Sequence, residues 1–131
     1  FRIGRESRAE FGEDTETETA DARTMGMSCL IQGRETTRPV TFTPPEWSTK
    51  VTAEDLAGRL GDPRSPVENY WYLELGGDRD SIGDTEKITE ELIPLALGTW
   101  DYLKNSGHYD TKTWAFSPES GNPGGWWGNT W

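Results

Sequence analysis

From Thr24 the chain reads TMGMSCLIQGRE, with Met25, Met27, Cys29 and Ile31 at period two and Ser28 and Leu30 available to the opposite side. Extended backbone turns successive side chains to opposite faces, so this alternation predicts a strand. A second extended piece, RPVTFTPPEW, is bounded by Pro39 and by Pro44 and Pro45. Proline cannot donate to a ladder, which confines that piece to an edge or a strand end. Asn69 to Gly77, NYWYLELGG, alternates again. It predicts a strand with Tyr70, Tyr72 and Glu74 on one face and Trp71, Leu73 and Leu75 on the other, the aliphatic face being the natural core face. Gly76 and Gly77 then read as a turn.

Helical spacing is clearest after Asp84. Ile88, Leu92, Ala96, Trp100 and Leu103 recur at intervals of three and four, with Asp84 or Thr85 as the cap and Glu86 in the first turn. Pro94 lies inside this pattern, lacks a donor and crowds the carbonyl of Glu90, so a kink is expected there. A shorter helix is expected from Thr52, with Asp55 in a capping-box position, Leu56 and Leu60 four apart, and Gly61 and Pro63 as the stop. Residues 1–23, which include the acidic EDTETETADAR, have little to bury and read as surface chain. Beyond Asn105 the sequence is rich in glycine and tryptophan without periodicity, so residues 106–131 are expected to be irregular. Together these elements predict an α+β domain spanning 1–131: a small antiparallel sheet covered on one face by one long and one short helix, with an irregular Trp/Gly-rich C-terminal segment.

Composition changes this picture mainly by exclusion. The chain has 131 residues, 32% hydrophobic, which suits one compact domain with a modest core. Thirteen basic against 23 acidic side chains give a formal charge of -10, so a phosphate backbone or an anionic membrane surface would be repelled. No nucleic-acid or membrane partner is expected. No apolar run approaches a membrane span and the opening residues are too charged for a secretory signal, so the chain reads as soluble, with its compartment unassigned. It opens without methionine inside a dense charged motif, which fits a mature product or a piece of something longer. Cys29 stands alone, so it reads as a small core residue, and no cysteine metal cluster can form. No His/Glu spacing for zinc occurs, and His108 shows no sign of serving as a base.

Two groups of residues carry candidate chemistry. Arg5 and Arg8 flank Glu6 at a spacing that can grip a carboxylate or build a surface ion-pair lattice. Trp114, Trp126, Trp127 and Trp131 concentrate in the polar C-terminal stretch. Exposed rings there could stack on sugar faces, as in a carbohydrate-binding module, or fold back as a satellite cluster. Met25 and Met27 read as core filler. No G-x-G-x-x-G follows a strand and no Walker loop is present.

Three blocks, FRIGRESRAEFGE, DARTMGMSCLIQGRETTRPVTFTPPEW and YWYLELGGDRDSIGDTEKITEELIPLALGTWDYLKN, resemble successive segments of a family of FAD-dependent oxidoreductases, members of which often carry a xanthan lyase label. The resemblance spans roughly residues 1 to 105 and is similar to the domain inserted between that family's flavin-binding segments. It departs from the family in two places: the nucleotide fingerprint is missing, and the chain after Asn105 runs into ESGNPGGWWGNTW. The resemblance implies a substrate-binding portion of a flavoenzyme, with FAD in the intact parent enzyme and none bound to this chain alone, since the backbone donors that hold pyrophosphate are not supplied. By itself the chain would not be catalytic. Its implied partners are flavin-binding segments of a parent chain and a small polyol or sugar-like substrate. Tyr70, Tyr72 and Glu74 would then face substrate, joined by Arg5, Arg8 and Ser28, and no catalytic base is assigned. Aromatics with polar tips beside a carboxylate suit a hydroxylated ligand. The alternative for the same aromatics is packing under a loop.

Overall fold

The computed structural model describes residues 4–12, 17–29, 33–57 and 73–116. Their organising element is a helix of 21 residues, Thr85–Asn105, here α2. It buries Ile88, Leu92, Ala96, Trp100 and Leu103, the residues that the spacing selects, so one stripe forms the floor of the core. The remaining elements are α1 (Arg8–Phe11), β1 (Met27–Ser28), β2 (Gly33–Glu35), β3 (Glu74–Leu75) and β4 (Trp114–Phe116).

The class is α+β, with the strands arranged as two antiparallel pairs, β1 with β3 and β2 with β4. In the first pair Met27 lies opposite Leu75 and Ser28 opposite Glu74. This pair packs on α2 through Met27, Cys29, Leu73 and the partly buried Leu75. In the second, Gly33, Arg34 and Glu35 face Phe116, Ala115 and Trp114. A Cβ on Gly33 would lie 3.0 Å from the Trp100 ring and 3.2 Å from that of Trp114, so glycine lets this strand pass close to two large aromatics.

Pro94 sits inside α2, which remains one continuous helix. The Pro94 carbonyl accepts a hydrogen bond from Thr49 N at 3.1 Å, so the segment after Trp47 crosses the helix here. Gly98, one turn on, makes that crossing feasible: a Cβ there would stand 1.9 Å from Thr49 O.

Several expectations need correction. The short helix is α1, within the stretch read as surface chain, and it buries nothing. At Thr52 the reciprocal cap does form: Thr52 N and Thr52 Oγ1 donate to Asp55 Oδ2 at 2.8 and 2.7 Å, and Asp55 N donates back to Thr52 Oγ1 at 3.3 Å. Ala53–Ala57 is nevertheless a turn, closed by an Ala57 N to Glu54 O bond at 3.2 Å, and Leu60 lies outside the described residues. The cap's local bonds suffice for a turn, whereas continuing a helix needs more. At α2 Asp84 does occupy the N-cap position, but without a side-chain cap bond: its carboxylate pairs with Lys87, and the Thr85 Oγ1 proton is shared between the carbonyls of Ser81 and Ile82. Met25 is 74% exposed, not core, because the ladder begins two residues later. Residues 38–47 form no strand: with prolines at 39, 44 and 45, the run keeps only isolated bonds such as Val40 N to Lys112 O. Within the stretch expected to be irregular, Trp114–Phe116 is a strand, because β2 offers it an edge that no local periodicity announces.

Candidate functional site

At Leu73–Leu75 the alternation is as the sequence has it: Leu73 is buried, Leu75 packs partly against the core, and Glu74 is exposed between them. Cys29 N donates to Leu73 O at 3.2 Å. Antiparallel ladders alternate hydrogen-bonded and non-hydrogen-bonded pairs, so Ser28 and Glu74, one step along, form a non-hydrogen-bonded pair. Such pairs bring side chains closest, and the two project together from the face opposite the core. Met27, read as core filler, points inward beside Ser28, as period two requires of neighbours.

The carboxylate of Glu74 is also oriented. Its Oε1 accepts the amide of Gly26 at 2.7 Å. A Cβ on Gly26 would meet Glu74 Cγ, Glu74 Oε1 and Leu75 O, each at 2.6 Å, so the carboxylate lies down on the strand because residue 26 has no side chain. Gly26 was not among the residues singled out from sequence. The available signal was a lone glycine inside a strand pattern, which marks close approach of another group. Thr24 closes this end of the ladder, its N donating to Gly77 O at 2.8 Å and its Oγ1 to Arg79 O at 3.0 Å.

The other expected binding residues have different settings. Arg5 is committed to Asp21: Nε donates to Oδ1 at 3.1 Å, Nη2 contacts Oδ2, and the two backbones exchange hydrogen bonds at 3.0 Å in an isolated bridge. That fork holds the Asp21 carboxyl down at about 2, with the Arg23 amide as a further donor. Arg5 thus belongs to an internal ion pair. Nothing in the sequence singles out Asp21, which stands at the end of an acidic stretch read as solvated. Arg8 opens α1 and is exposed there, its amide bonded to Thr17 O at 3.0 Å. Tyr70 and Tyr72 lie outside the described residues, as do Trp126, Trp127 and Trp131. Trp114 is partly buried against the core cluster, whereas stacking on sugar requires an open ring face.

Cys29 and the Arg79–Glu91 pair have structural settings. Cys29 is buried and unpaired, and burial pushes its thiol up to about 12, which leaves it without thiolate character at neutral pH. Arg79 pairs with Glu91 at 2.9 Å, raising the guanidinium and lowering the carboxyl. Among the described residues no group of acidic, histidine and cysteine side chains is placed to hold a metal ion, and no helix is long and apolar enough to cross a membrane. No family model matches the chain, and no curated protein or solved structure matches it either.

Proposed function

We propose that this chain is the substrate-binding portion of an FAD-dependent oxidoreductase acting on a polyol or sugar-like molecule, with the flavin held by other segments of the parent enzyme. The block resemblance along residues 1–105 suggests the family. The observation that supports a substrate face is Glu74: exposed, set against Ser28, and turned away from the core with one carboxylate oxygen fixed by the Gly26 amide. In that arrangement Oε2 is left to accept a substrate hydroxyl, and Ser28 Oγ can donate or accept beside it. Orientation before ligand arrives is what makes such a contact specific, because the carboxylate then loses little freedom on binding. The flavin would take a hydride from a substrate C–H bond, while this chain binds and orients the hydroxylated carbon.

The test joins the chain to flavin-binding segments of that family and follows flavin bleaching by polyols and sugars without oxygen. Glu74→Gln and Ser28→Ala are expected to slow reduction or raise the half-saturating polyol concentration, with the fold unchanged. Reduction at the parent rate and affinity in both variants would leave this face without a role.

A further inference from the structure

The last turn of α2 carries Lys104, whose Nζ donates to three carbonyls of one short segment: Thr111 O at 2.5 Å, Trp114 O at 2.7 Å and Lys112 O at 3.2 Å. An ammonium has three protons, so the set matches its whole donor capacity. The intervening Thr113 carbonyl turns the other way and accepts Thr36 N at 2.8 Å, and Lys112 O also accepts Val40 N at 2.9 Å. The segment is therefore clasped between the end of α2 and the chain that follows β2. Its near end is anchored independently: Thr111 is buried and its Oγ1 donates to Leu103 O at 2.7 Å.

Beyond Thr111, among the described residues, it is held further by Thr36 and Val40, which donate to Thr113 O and Lys112 O, and by Trp114 N on Thr111 O. The β2–β4 ladder has three residue pairs, too short to be stable alone, and the principal apolar contact is Trp114, partly buried beside Gly33 and Trp100. We propose that residues 112–116 are a flap hinged at Thr111 and latched by the charge of Lys104, which opens as a unit when that charge is removed and bares the ring of Trp100. Three carbonyl dipoles converge on the ammonium. Without it the three dipoles face one another uncompensated and Trp114 O loses its donor, while Lys112 O keeps Val40 N and Thr111 O keeps Trp114 N, so the cost falls on this segment. The pair β1 and β3 packs on α2 through other residues, so it has no reason to follow.

Amide hydrogen exchange tests this in the full chain and in Lys104→Met and Lys104→Arg. Thr36 and Val40 amides, bonded to flap carbonyls, report the latch; Cys29 and Ile88 amides, bonded to Leu73 and Asp84, report the rest. In Lys104→Met the first two are expected to exchange at least about tenfold faster with the second two unchanged, while Lys104→Arg keeps most of the protection. Acceleration of all four together, or of none, overturns the proposal. The unmutated chain gives an independent reading at low urea: Thr36 should exchange through an opening with little urea dependence, and if it shares the slope and free energy of Ile88 there is no flap.

Discussion

Asp21 is the residue whose charge the fold controls most directly. Its carboxyl titrates at about 2 in the folded chain, against an ordinary value of 3.8, because Arg5 and the Arg23 amide favour the anion. A depressed carboxyl contributes stability that is complete above the unfolded value and is lost as pH falls through the folded one. The Arg5–Asp21 bridge is therefore expected to hold above about pH 4 and to weaken toward about pH 2. Carbon-detected NMR should place the Asp21 midpoint near 2, and Arg5→Ala should return it toward 3.8. Leu73 and Glu74 offer a second contrast on adjacent residues, one buried and one exposed. Leu73→Ala is expected to cost about 2 to 5 kcal/mol in urea unfolding, whereas Glu74→Gln should stay within about 0.5 kcal/mol. Equal losses would mean that the two faces of β3 are not distinct.

Among the elements, α2 carries most of the fold. Trp100 is 1% exposed and central to its buried stripe, so Trp100→Ala is expected to destabilise by about 3 to 5 kcal/mol, read as a shifted denaturation midpoint. Gly98→Ala probes a different contact on the same helix. Alanine favours a helix by about 1 kcal/mol over glycine, yet here its methyl would run into the backbone oxygen of Thr49. Net destabilisation is expected, with loss of protection at the Thr49 amide that bonds Pro94 O. A stabilised Gly98→Ala variant would show that the segment at Thr49 does not cross the helix so closely.

For the whole molecule, the proposed division of labour makes a plain prediction. If the proposal holds, the isolated chain is expected to elute from gel filtration without flavin absorbance, since its sequence shows no G-x-G-x-x-G after a strand to cradle pyrophosphate. A retained flavin band would overturn the assignment of FAD binding to other segments. On the same proposal, a formal charge of -10 is expected to disfavour anionic substrates relative to neutral hydroxylated ones.

The sequence by itself determined the long helix and its buried stripe, since spacings of three and four from Ile88 to Leu103 leave one face apolar whatever it packs on. Period two likewise determined that Leu73 and Glu74 point opposite ways, and the Thr52–Asp55 pair formed its reciprocal bonds because they span three residues. Only the tertiary structure decided the contacts between residues far apart in the chain. The pairing of β2 with β4, the approach of Asp21 to Arg5, the crossing of Thr49 over Gly98 and the three carbonyls around Lys104 each join segments that carry no mutual signal in one sequence. The same holds for the candidate site: alternation placed Glu74 on an outer face, but what orients its carboxylate is the amide of Gly26, which reaches it because β1 and β3 pair in one particular register.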